Sequence, residues 1–158
     1  MPIFIRPYCE ADLQTLKAIT VEAFDGVSVD QNIERRFGIV AGRDWGWRKA
    51  RQIDWDVEAS GSAILVAEDE QGQIVGYVTT RIDREAGIGY IPNMAVRSGL
   101  RGLGTGRILI ERALEMFREA GLELAKIETL DQNAVGQHLY PTCGFVEVAR
   151  QIHLVKKL

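Results

Sequence analysis

Cysteine and histidine are almost missing from this 158-residue sequence, at two each. Cys9 and Cys143 cannot make a disulfide framework and read as ordinary reduced thiols. With no clustered Cys/His spacing, neither a structural zinc site nor any other metal is expected. No apolar run reaches the roughly 18 residues a membrane span needs. No long block of Lys or Arg occurs, and the formal net charge is −3. That argues against a nucleic-acid or membrane-surface partner. The opening MPIFIRPYCEAD lacks the basic-then-apolar pattern of a secretory signal, so a cytoplasmic location is expected. What remains is 46% hydrophobic and 26% charged. That is an ordinary globular composition, long enough for one domain over 1–158 to bury a core.

The chain divides by pattern. IFIR at 3–6 reads as a first strand. Apolar residues at 13, 16, 19/20 and 23 predict a helix over 10–24, with acids in its first turn. A second helix is expected over about 29–40. Residues 42–60 hold all three tryptophans without a clean period and read as helix or ordered loop. AILVAED and QIVGYVTTRID flank the turn EQG, which is a hairpin signal. GIGYIPNMAV, 87–96, continues the antiparallel group. A helix follows over 104–120, stopped by Gly121, then a strand over 122–130. A short helix within 133–145 is closed by Pro141 and Gly144. FVEVARQIHLVKKL, 145–158, predicts one or two final strands. The whole is a mixed α/β fold.

Four glycines in eight residues (Gly99, Gly102, Gly104, Gly106) stand directly before the helix over 104–120. Glycine is costly in regular structure. A strand, a glycine-rich turn and a helix N-terminus together make an anion site, because backbone N–H groups turn inward and the helix end adds about half a positive charge. A Walker-type loop is excluded, since Thr105-Gly106 stands where Lys-Ser/Thr must be. The dinucleotide fingerprint fits poorly: an antiparallel hairpin comes first, and no register of the glycines completes G-x-G-x-x-G.

The third pattern, [Q/R]-x-x-G-x-[G/A], is present as Arg101-Gly102-Leu103-Gly104-Thr105-Gly106. Met94-Ala95-Val96 ends the strand before it. Downstream, Asn133 to Phe145 follows N-x-x-A-x-x-[LF]-Y-x-x-x-G-F, with Gly136 at the alanine position. In these features the sequence resembles the GCN5-related N-acetyltransferase (GNAT) superfamily. The resemblance implies a central mixed, mostly antiparallel sheet flanked by helices, splayed between strands 87–96 and 122–130. Pro92 cannot donate to a ladder, so it is expected at or next to that splay.

The resemblance further implies acetyl-CoA as cosubstrate. Met94, Ala95 and Val96 would offer strand amides to the acyl and pantetheine portions, with the Met94 N–H as oxyanion donor. Arg101, Gly102, Leu103, Gly104, Thr105 and Gly106 would wrap the pyrophosphate. Asn133 would contact the cofactor, and Tyr140 would do so as well as protonate the leaving thiolate as general acid. Relatives often carry a glutamate where this chain has Tyr90, so the base is unassigned. Trp45 and Trp47 are candidate acceptor contacts, since aromatic faces hold apolar or cationic groups.

The implied activity is acetyl transfer to a primary amine of a small molecule, amino acid, peptide or protein. Two alternatives stay open: a non-catalytic acyl-CoA-binding or interaction module of the same fold, and transfer of a longer acyl group. Dimers are common in the family resembled, so a homodimer is a further open expectation.

Overall fold

A computed structural model describes residues 1–59 and 62–158. In chain order the elements are β1 (Phe4–Pro7), α1 (Leu13–Phe24), α2 (Val29–Phe37), α3 (Trp45–Glu58), β2 (Ser62–Glu68), β3 (Ile74–Asp83), β4 (Ile88–Ile91), β5 (Met94–Val96), α4 (Thr105–Glu119), β6 (Leu124–Ile127) and α5 (Ala134–Thr142). The sheet runs β1-β2-β3-β4-β6, with β5 also on β3. All pairings are antiparallel except β4 with β6. This is the mixed, mostly antiparallel and helix-flanked sheet expected above.

Period-two alternation sends neighbouring residues of β2 to opposite faces. Leu65 and Ala67 join Val78, Leu109, Ala113 and Phe117 beneath α4. Ile64 and Val66 join Leu16, Ile19, Ile53 and Tyr77 beneath α1 and α3. β3 is therefore covered on both sides, and Val75 to Thr80 are all buried. The hairpin turn before it is fastened by Asp69, whose carboxylate accepts from the amides of Gln71 and Gln73.

The structure revises four sequence expectations and decides one that the sequence left open. The strand over 87–96 breaks at Pro92–Asn93 into β4 and β5, as a residue without an N–H requires. The helix from Val29 stops at Phe37, where Gly38 takes φ +80°. Residues 42–60 are mostly helical, because the Asp44 carboxylate caps α3 by accepting from the Trp47 amide at 2.7 Å; such caps contribute about 1 kcal/mol. Ser60 and Gly61 lie outside the described residues. The strand over 122–130 is only four residues long, and 145–158 carries no strand at all. Its alternating pattern is real, but it finds no neighbouring strand to pair with.

α4 crosses β4 closely. A Cβ built on Gly89 would lie 2.5 Å from the Phe117 ring. Gly89→Ala is expected to destabilise the chain by about 1–3 kcal/mol, as overpacked cores do. Urea unfolding checks this, and an unchanged midpoint would mean that α4 can move aside.

Candidate functional site

The site begins with the broken strand. β4 pairs with β6 as far as Ile91 opposite Ile127. Beyond Pro92 the pairing to β6 ends, and β5 lies on β3 alone. The Asn93 carbonyl accepts from the Thr79 amide at 2.8 Å, and the Arg97 amide donates to Val75 at 2.9 Å. Successive residues of a strand turn to opposite edges. The amides of Met94 and Val96 therefore face away from β3, into the gap left by β6.

The glycine turn opens beside this gap. Gly102 and Gly104 take φ +78° and +88°, where a side chain would be strained. Gly106 is needed for proximity instead: a Cβ there would sit 3.2 Å from Leu139 and 3.7 Å from the Met94 methyl. Nothing lies within 4 Å of a Cβ on Gly99, and no steric reason for that glycine is visible. Thr105 is 1% exposed, and its hydroxyl finds no partner among the described residues. An unmade bond to a buried hydroxyl costs about 1–3 kcal/mol. It opens the fifteen-residue helix α4, whose N-terminus carries the positive end of the helix dipole. Arg101 and Leu103 are exposed on the turn.

The turn is fastened to α1. Glu22 accepts from the Ser98 amide and hydroxyl, each at 2.7 Å, and pairs with Arg97 at 3.3 Å. The Ser98 bonds, ahead of the Arg97 charge, hold the Glu22 carboxyl below its usual range. Arg101 donates to the Ala23 carbonyl at 2.8 Å.

α5 closes the other side. Leu139 reaches Gly106, and Arg107 donates to Thr142 Oγ1 at 2.7 Å. Tyr140 is half-buried, edge-on to Phe145 at 6.3 Å between ring centres. Burial pushes its phenol up to about 12. Asn133 caps α5: its carbonyl oxygen accepts from the Gly136 amide at 3.1 Å, and its NH₂ donates to Thr129 at 2.9 Å. Both ends of that side chain are thus occupied within the protein. They also explain Gly136, since a Cβ there would lie 2.8 Å from both Asn133 and Thr129.

On the α1 and α3 side of the break lies a buried polar cluster that the sequence reading missed. Asn93, Lys49 and Asp56 are 5%, 8% and 5% exposed. Lys49 Nζ donates to Asn93 Oδ1 at 2.9 Å and to Gln52 at 2.8 Å, and sits 3.9 Å from the centre of the Phe24 ring. Asn93 Nδ2 donates to Asp56 Oδ2 at 2.7 Å, and Thr79 Oγ1 donates to the same oxygen at 2.9 Å. The Asn93 amide donates to Thr79 Oγ1 at 2.9 Å. Burial lowers Lys49 to about 8, against the pull of Asp30 and Asp56. Burial also raises the Asp56 carboxyl despite its two donors. The available signal was two charged residues in phase with Ile53 along a helix, at 49, 53 and 56.

The structure brings Met94, Val96, Gly106 and α5 together. It does not bring Trp47 to them. Trp47 is 41% exposed, on the face of α3 turned away from Lys49 and Asp56, with the Arg43 guanidinium 4.6 Å from its ring centre. With Arg51 it lines a shallow groove between α1 and α3. Trp45 is half-buried where α3 meets α2, its amide donating to Glu34 at 3.1 Å. Across the gap, Gln132 accepts from Asn32 at 2.8 Å and donates to the Gly26 carbonyl at 2.8 Å. Among the described residues no His/Cys/Asp/Glu group could hold a metal, and no helix is long and apolar enough to cross a membrane.

The comparison with known proteins agrees with the fold. Residues 28–145 match the model of the Acetyltransferase (GNAT) family, and the chain belongs to that family. It is similar to the mycothiol acetyltransferase of Propionibacterium freudenreichii subsp. shermanii, at 30% identity over 93 residues. That stretch covers 58% of this chain but only 30% of the relative. Among solved structures it resembles a GNAT-family acetyltransferase from Staphylococcus aureus Mu50, with TM-score 0.70, 21% identity, and 94% of this chain and 87% of that one covered. It also resembles the PaiA N-acetyltransferase of Thermoplasma acidophilum in complex with coenzyme A, with TM-score 0.70, 19% identity, and 90% and 89% covered.

Asn93→Ala strips a shared partner from a buried cation and a buried carboxylate at once. The expected loss is about 2–4 kcal/mol, read from urea unfolding. Asp56→Asn keeps the shape and should cost less. Equal, small effects of both would show that the cluster holds nothing in place.

Proposed function

We propose that this chain transfers an acetyl group from acetyl-CoA to the primary amine of a small molecule, an amino acid, a peptide or a protein. The observation that carries the reading is the pair of unpaired β5 amides, Met94 and Val96, facing the gap beside the glycine turn. The residues present fit the donor. The buried, unpartnered Thr105 hydroxyl, the two left-handed glycines and the start of α4 make a cradle for a pyrophosphate. Arg101 adds a positive charge, and Asn133 supports the cradle from α5 as its cap. Bound there, acetyl-CoA supplies an activated thioester.

The chain's own residues then do three things. The Val96 amide holds the pantetheine arm as an added strand would be held; the Ala95 backbone, expected from the sequence to join it, is turned to the β3 edge opposite Tyr77 instead. The Met94 amide donates to the thioester oxygen as charge gathers on it, a contribution commonly worth about 3–4 kcal/mol. Tyr140, kept protonated by its burial, holds a proton for the departing thiolate. No carboxylate stands on β4, where Tyr90 occupies the position that relatives often give to glutamate. The amine is therefore taken to arrive neutral or to lose its proton to water. Trp45, half-buried where α3 meets α2, is kept as a candidate acceptor contact.

Two measurements test this. Free-thiol release from acetyl-CoA across a panel of amines should find at least one acceptor. Tight acetyl-CoA binding without release on any amine would favour a non-catalytic acyl-CoA-binding module. Tyr140→Phe should lower turnover tenfold or more while acetyl-CoA still binds. Because the phenol titrates near 12, no loss of wild-type activity between pH 7 and 10 should trace to it, so the deficit of the variant should be constant over that range. A deficit that vanishes at high pH, or none at all, would remove Tyr140 from the reaction.

A further inference from the structure

The peptide group between Asn93 and Met94 has two ends with different partners. A peptide group is planar, so whatever fixes its carbonyl also aims its N–H. Here the N–H is that of Met94, one of the two amides turned away from β3, and the carbonyl is that of Asn93. The Thr79 amide donates to this carbonyl at 2.8 Å. Such a bond also polarises the group and strengthens its N–H as a donor.

Residues opposite each other in a hydrogen-bonded antiparallel pair exchange two backbone bonds. Thr79 and Asn93 make only one. The Asn93 amide goes instead to the Thr79 hydroxyl, at 2.9 Å. The register gives the reason. Tyr90 stands opposite Arg81 and Met94 opposite Val78, so four steps along one strand answer three along the other. An extra residue of this kind is a bulge, and a bulge disrupts the ladder locally.

What takes up the slack is buried. Thr79 Oγ1 donates its own hydrogen to Asp56 Oδ2 at 2.9 Å. The Asn93 side chain is stretched between the same oxygen and Lys49 Nζ, on turns of α3 seven residues apart. All four residues are buried.

Stability does not account for this choice of residues. No direct ion pair joins Lys49 to Asp56; each is bonded to Asn93 instead. Buried charges carry a desolvation cost, and apolar side chains of the same volume commonly hold a fold as well or better. What directional bonds add is a single orientation. Lys49 is itself held in one place, by Asn93, Gln52 and the face of the Phe24 ring.

We propose that Lys49, Asp56 and Thr79 act through Asn93 as positioning residues that aim the Met94 N–H into the gap. They touch neither donor nor acceptor. The consequence for rate rests on the acetyl-transfer reading; the aiming of the amide does not.

Two readouts test this. In the free protein the Met94 amide should give one sharp proton–nitrogen NMR signal. Thr79→Val removes the hydroxyl at nearly constant shape, and Lys49→Met removes the cation at nearly constant length. Each should shift or broaden that signal, whereas Thr79→Ser, which keeps the hydroxyl, should leave it in place. On any amine that the wild type acetylates, Thr79→Val and Lys49→Met should lower kcat about tenfold or more, since small misplacements of a reacting group commonly cost up to about a hundredfold. Affinity for CoA should not change. If either variant fails to fold, Asp56→Asn takes its place, because it keeps the shape and should move the signal in the same way. An unmoved Met94 signal overturns the proposal, and so does a moved signal with kcat unchanged. If the wild type acetylates no amine, the transfer reading fails alone, and the Met94 signal still decides whether these residues aim the amide.

Discussion

The site depends on one missing hydrogen-bond donor. Proline has no N–H and cannot continue a ladder, so the strand that begins at Ile88 cannot stay paired to β6 past Pro92. The layout of the candidate site follows from where that pairing stops. Below the break, β4 and β6 are neighbours. Above it, β5 keeps only β3, and the amides of Met94 and Val96 have no partner among the described residues. Asn93 fixes the exit angle, since its backbone is bonded to Thr79 and its side chain is held by Lys49 and Asp56. A break with loose ends would present the same amides in many directions. This one is held along its β3 edge by Thr79 and from the α3 face by Lys49 and Asp56.

The glycine turn adds the second constraint. Two of its glycines serve the backbone direction and a third serves the approach of α5. Leu139 and Met94 meet over Gly106, so β5, α4 and α5 share one point of closest packing. The proposed general acid is one residue from that contact. Its position relative to the β5 edge therefore rests on side-chain packing within a few ångströms, not on a long chain of elements.

Features set by local chemistry were legible in the sequence. Pro92 and the glycines act through their own backbones, so they pointed to the break and the turn before any tertiary structure was known. The 70–72 hairpin turn and the 104–120 helix were equally local. α3 was obscured because its inward face is Gly46, Lys49, Ile53 and Asp56, with only one large apolar residue to mark a period. Without that period, nothing in the sequence singles out Lys49 and Asp56 among the mixed charges of 42–60. Only the fold shows that they converge on Asn93, thirty-seven residues from Asp56 along the chain. The alternating pattern of 145–158 predicted strands that the structure does not have, because a strand also needs a neighbour and no sequence states where one will be.

The Gln132 bridge bears on how the proposed reaction could choose its acceptor. It links the turn between α1 and α2 to the exit of β6, segments about a hundred residues apart in the chain, and its bonds are exposed to water. Exposed neutral bonds of this kind contribute about 1 kcal/mol each at most. A molecule that displaces them meets a toll of less than a hundredfold in affinity, and almost any polar newcomer recovers part of it. The bridge is therefore a poor sieve. The buried Lys49–Asn93–Asp56 cluster is the contrasting case, since a charge there that lost its partner would stay desolvated and uncompensated.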